Sequence, residues 1–144
     1  MTAFQFRLER VLHWRAIELA AEEAKLKRMM EEEARLAAAL AEIRKTISEI
    51  PTRLSELQAL SGSDFNRTAG YAIRLSNECT RLQDRRRAQQ RMIAEQMEVH
   101  RKAKQRHRLL EELRSRRHNE WKMETLRQLD EIAHESYLAR WSAD

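Results

Sequence analysis

Between Leu8 and Leu57 the apolar residues recur alternately three and four positions apart, a 3.5-residue repeat kept for seven heptads. The a positions are Leu12, Leu19, Leu26, Glu33, Leu40, Ile47 and Leu54, and the d positions are Leu8, Arg15, Glu22, Met29, Leu36, Ile43, Ile50 and Leu57. Twelve of these fifteen places are aliphatic. A repeat this strict keeps one narrow stripe turned toward a partner helix, whereas an ordinary globular helix carries a broader stripe at a 3.6-residue period. Such a chain is constrained to long helices paired along a seam.

Composition supports the same fold class. Charged residues make up 35% of the 144 residues, with only two glycines and one proline to punctuate them. That is the composition of long helices, and it leaves too few turn-formers for many short strands. Aromatic residues, at 6%, are too few to fill a compact core. Cys79 is the single cysteine, which excludes an intrachain disulfide framework and a cysteine-based zinc site, and reads as a small apolar seam residue in a reducing compartment. The first residues lead directly into a charged amphipathic pattern without the apolar run of a signal peptide, and no window has the apolar length of a membrane span. The expectation is a cytoplasmic protein that does not insert into a membrane and reaches one only through partners.

The expected fold is all-α, an antiparallel coiled-coil hairpin forming a single domain over residues 1–144, its second helix longer than its first. Thr2 and Gln5 have capping-box spacing, so helix one is expected over about residues 2–60. Pro51 removes an amide donor and crowds the carbonyl four residues back, at a cost of about 3 kcal/mol, and predicts a kink; Leu54 and Leu57 hold the register beyond it, so the helix resumes. Residues 61–66, Ser-Gly-Ser-Asp-Phe-Asn, read as the turn: Gly62 offers a left-handed C-cap, and Ser63, Asp64 or Asn66 caps helix two, which runs over about 67–141. The second arm has a weaker repeat. Leu75, Cys79, Leu82, Ile93, Ala103, Leu110 and Trp121 share it with a second register of Met92, Val99, Leu109 and Leu113, and many places between are Arg, Gln or His.

Arm lengths lead to a sharper expectation. With a turn centred near residue 63, position i on the first arm faces roughly 126 minus i, so Met1 lies near residue 125. The stretch from there to Trp141 then projects alone for roughly 25 Å at about 1.5 Å per residue. It carries Leu126, Leu129, Ala133, Tyr137 and Trp141 on one helical face, with Ile132 and Leu138 beside it. An apolar stripe without an internal partner marks an interaction surface.

Charge is uneven: residues 81–118 hold thirteen basic and five acidic side chains, and residues 119–144 hold three basic and six acidic. Arg85, Arg86, Arg87, Arg91, Arg101, Lys102, Lys104, Arg106 and Arg108 could meet phosphates in a salt-dependent way. No Phe, Tyr or Trp occurs from 72 to 120, however, so stacking platforms for bases are missing, and no zipper continues the basic block. A solvated face, or one that docks an acidic protein, fits better than nucleic acid. A basic helix lying on a membrane would need more apolar residues than α-helical spacing supplies between Leu82 and Leu109.

Catalytic, cofactor and metal sites are not expected. His100 and His107 are about 10 Å apart along a helix, too far to chelate one ion. Glu131 and His134 form one Glu-x-x-His, whereas a bundle di-metal site needs two with further carboxylates. No glycine-rich phosphate loop or nucleophile elbow occurs, and a two-helix hairpin offers no pocket to desolvate a reaction.

Both ends match a known pattern. Phe4, Phe6, Arg7, Leu8, Glu9, Val11 and Leu12, followed by Arg15, Glu18 and Ala21, resemble the N-terminus of the flagellar type III export protein family FliJ. Leu109, Leu110, Glu111, Glu112, Leu113 and Arg116, then Trp121, Glu124, Leu129, Asp130, Glu131 and Ala133, with Tyr137 and Arg140, resemble that family's C-terminal signature. The resemblance implies a coiled-coil stalk whose terminal helices enter the hexameric export ATPase, and which also contacts the membrane export gate and cycles export chaperones. It makes Phe4, Phe6, Leu8, Val11, Leu12, Leu126, Leu129, Asp130, Glu131, Ala133 and Tyr137, with Trp141 on the same stripe, ATPase-facing candidates. Tyr71, Leu75 and Leu82 become weaker, gate-facing candidates, although Leu8, Leu12, Leu75 and Leu82 read better as seam residues. The stalk of a virulence type III secretion system, a basic coiled coil binding nucleic acid or an acidic scaffold, and a parallel homodimer are the alternatives the residues leave open.

Overall fold

The computed structural model describes residues 2–56 and 61–143. Two helices account for nearly all of them, α1 over Glu9–Glu56 (48 residues) and α2 over Gly62–Ala143 (82 residues), with no strand among the described residues. The fold is the expected all-α helical hairpin with the second helix the longer. The chain divides into two compact units, Met1–Ala21 with Arg101–Asp144, and Glu22–His100.

The seam is where the repeat places it. Every described a and d position from Leu8 to Leu54 is partly or wholly buried, while Leu57 lies outside the described residues. On α2 the same test separates the two interleaved registers as far as Leu110. The buried or half-buried series is Leu75, Cys79, Leu82, Arg86, Gln89, Ile93, Gln96, His100, Ala103, His107 and Leu110, a strict alternation of three and four, while Met92, Val99 and Leu109 are exposed and Leu113 of the second register is half-buried. Half of that series is polar, which is why hydrophobicity alone does not reveal it.

In the Glu22–His100 unit the core is small: Leu36, Leu40 and Leu82, with Ile43 and Cys79 packed against them. Away from it, polar seam residues meet polar partners. Arg86 donates to the Glu33 carboxylate at 2.6 Å and Gln90 donates to the same oxygen at 3.3 Å. Gln89 donates to the Met29 carbonyl at 2.9 Å, Gln96 donates to the Glu22 carboxylate, and His100 lies 3.2 Å from Glu23. Paired residue numbers here total 118 to 123 (29 with 89, 33 with 90), somewhat less than the expected 126. A buried polar group without a partner costs about 1–3 kcal/mol, so Glu22 and Glu33 favour the register that brings Gln96 and Arg86 opposite them.

The hydrogen bond from Arg86, followed by its positive charge, holds the Glu33 carboxyl below its ordinary value of 4.5. A carboxyl depressed in the folded state contributes stability that is present above its unfolded value and lost as pH falls through the folded one. The difference in melting temperature between the native chain and Glu33→Gln is therefore expected to shrink as pH drops below 4.5, as thermal melts across that range would show.

Two boundaries differ from expectation. The Thr2–Gln5 box does not start a helix: residues 2–6 are irregular, a turn follows at residues 7–8, and the Glu9 amide donates to the Phe6 carbonyl at 3.1 Å. The Phe4 ring instead packs against both His118 (centroids 4.9 Å apart) and Trp121 (6.0 Å), so burial against α2 outweighs the few hydrogen bonds one more turn would add. At the other boundary residues 61–66 are not a turn, because α2 starts at Gly62. Ser61 is its N-cap. Its hydroxyl accepts the Asp64 amide (3.2 Å) and donates to the Asp64 carboxylate (2.7 Å), and its carbonyl accepts the Phe65 amide (3.1 Å). No glycine has positive φ, so Gly62 is not a left-handed cap. α1 continues through Pro51 to Glu56, and the expected end near residue 60 lies outside the described residues.

Candidate functional site

The site is the end of α2. In the unit containing it, Phe4 reaches His118 and Trp121, Glu9 pairs with Arg114 at 2.9 Å, and Glu18 with Arg106 at 3.6 Å. Paired numbers total 122 to 125 (4 with 118, 4 with 121), close to the expected 126. Thr125 is the last half-buried residue, and every described residue from Leu126 on is exposed, including Leu126 (56%), Tyr137 (58%) and Trp141 (71%).

Helical spacing shows how this arm is oriented. Continuing the half-buried α2 series His118, Trp121 and Thr125 by threes and fours gives Gln128, Ile132 and Glu135. At 100° per residue, Leu126, Leu129, Ala133, Tyr137 and Trp141 are centred roughly a third of a turn around the helix from that series, with Leu129 nearest to it. The apolar stripe thus lies to one side of the internal seam rather than directly along it.

Local interactions keep the arm helical without using the stripe. Glu124 accepts hydrogen bonds from Arg127 (3.1 Å) and Gln128 (3.3 Å), and Arg127 also lies 3.9 Å from Glu131. Glu124 first, and then Glu131, raise the Arg127 pKa. Tyr137 and Trp141, four residues apart, approach to 6.2 Å between ring centroids. Leu126, Leu129, Asp130, Glu131, Ala133, Tyr137 and Trp141 therefore share one exposed segment, as the spacing implies.

Phe4 and Phe6 do not join that segment. Both are half-buried, and residues 2–8 with Leu113, Arg117 and Trp121 line an open groove of about 1000 Å³. Leu8 and Leu12 are half-buried seam residues, whereas Val11 is 41% exposed. In the other unit Tyr71 is exposed, Leu75 is half-buried in the seam and Leu82 is in the core. His100 and His107 sit at seam places beside Glu23 and Glu111 respectively, and no group of three or more metal-ligating side chains occurs among the described residues. No helix of the described residues is long and apolar enough to cross a membrane.

The feature that sequence reasoning missed is that Trp14 and Ile17 join Val11 in an exposed apolar group on α1, with Leu109 of α2 in the same unit. Val11 and Trp14 each lie one place ahead of a seam residue, a signal hidden by the stronger a and d pattern. Comparison with protein-family models, with curated proteins and with solved structures finds no match.

Proposed function

We propose that this chain is a non-enzymatic stalk and coupling component of a flagellar type III export apparatus, and that residues 126–141 bind the hexameric export ATPase. The observation that carries the reading is the exposed apolar stripe from Leu126 to Trp141. The resemblance of both chain ends to the FliJ family supports the choice of partner. An asymmetric helix needs no catalytic residue to act on a ring: binding one ring state more tightly than another shifts the ring toward it. In this reading the chain is cytoplasmic and held at the inner face of the membrane through partners. Tyr71 and Leu75 are the weaker candidates for the export gate, and export chaperones are further partners.

The test is a pull-down with the export ATPase that compares the intact chain with one truncated after Glu124. The intact chain is expected to capture the ATPase and stimulate its turnover, and the truncated one to do neither. Equal capture and equal stimulation would remove the arm from the account.

A further inference from the structure

Val11 and Trp14 on α1 lie one place ahead of the seam residues Leu12 and Arg15. On α2 the places similarly ahead of the seam, or one helical step beyond, are Lys102, Arg106, Leu109, Leu113 and Arg116. The Arg106–Glu18 pair, 3.6 Å apart, ties the two series together, so both look out from one side of the unit formed by Met1–Ala21 and Arg101–Asp144. Trp14 is 55% exposed with the Arg15 guanidinium 4.7 Å over its ring, and Leu109 is 58% exposed.

Charge on this side is one-sided. Among the described residues Lys102 and Arg116 make no ion pair, whereas the acids are neutralised: Glu18 by Arg15 and Arg106, and Glu120 by Arg117. The side is therefore apolar and aromatic at its middle with uncompensated cations around it, the pattern of a surface that rests among anionic headgroups. A third helix is a poorer occupant. Seated between α1 and α2 it would have to bury the Arg106–Glu18 pair, and taking such charges out of water costs several kcal/mol per ion. A headgroup layer leaves the pair hydrated. The face escapes a reading of α2 alone because half of its apolar residues come from α1.

We propose that this side of the unit, centred on Trp14 and Leu109 and flanked by Lys102 and Arg116, binds the surface of an anionic lipid bilayer directly. Trp14, Val11 and Leu109 enter the headgroup boundary, and the cations pair with lipid phosphates. The binding uses none of the residues from Leu126 to Trp141, so it stands or falls separately from ATPase capture.

The test is co-sedimentation of the full-length chain with vesicles of phosphatidylcholine alone and of phosphatidylcholine mixed with phosphatidylglycerol. Binding is expected only to the mixed vesicles, falling as salt rises. The Lys102→Glu, Arg116→Glu double variant should bind at least about tenfold more weakly, and Trp14→Ala should also weaken binding, while Trp141→Ala binds as the native chain does. All four side chains are exposed, and circular dichroism melts would confirm that the variants fold. Failure to sediment with anionic vesicles would overturn the proposal. So would sedimentation that Trp141→Ala abolishes and the other variants leave intact, or binding to polyglutamate without binding to vesicles, which would assign the face to an acidic protein.

Discussion

Leu40→Ala is expected to lower the unfolding free energy by about 2–5 kcal/mol, the range for truncating a buried leucine. Leu40 is 2% exposed and forms the small core of its unit with Leu36 and Leu82. A two-helix seam has no second layer to close over a cavity, so the loss falls on few remaining contacts. Net stabilities of folded proteins are commonly about 5–15 kcal/mol, which makes this one truncation a large fraction of the whole. Met92→Ala is the control. Met92 belongs to the register on α2 that faces solvent, and its truncation should change stability by no more than about 0.5 kcal/mol. Chemical denaturation of both variants measures the difference. Equal losses would mean that α2 presents the other register to α1.

Much of this fold was legible in the sequence, and the reasons lie in particular residues. On α1, apolar side chains at nearly every a and d position specify both the helix and its buried side. On α2 the same geometry is written with Arg86, Gln89, Gln96, His100 and His107, whose burial depends on partners such as Glu33, Glu22 and Glu23 that are distant in the chain. Hydrophobic periodicity cannot register such pairings, so Met92, Val99 and Leu109 competed for the seam on equal terms. The N-terminal boundary was hidden for a similar reason. Thr2 and Gln5 have the local signal of a helix start, but Phe4 finds more to bury against His118 and Trp121 than helix formation would offer it. At the tip, Ser61 outcompeted Ser63, Asp64 and Asn66 as the cap because its hydroxyl reaches the amide and the carboxylate of Asp64 together. The exposed arm was foreseeable from chain length alone. Its orientation, to one side of the seam, needed the register on α2 that only the structure resolves.

The arm also separates function from stability. Replacing Leu126, Leu129 and Tyr137 together by serine removes apolar surface that is already exposed, so it costs only helix propensity, a few tenths of a kcal/mol at each place. If these side chains enter the ATPase, the same change removes several buried apolar groups from the complex, at about 1.5–3 kcal/mol for each large one. The expected outcome is a melting profile close to that of the native chain with affinity reduced at least about a hundredfold, a factor that corresponds to 2.8 kcal/mol or so.

Titration of the export ATPase with the native chain and with this triple variant, each first shown by its melt to be folded, is the most direct test of the central claim. The account predicts tight binding by the native chain and a loss of two orders of magnitude or more in the variant. Unchanged affinity in a variant that melts normally would contradict the assignment of residues 126–141 as the partner surface.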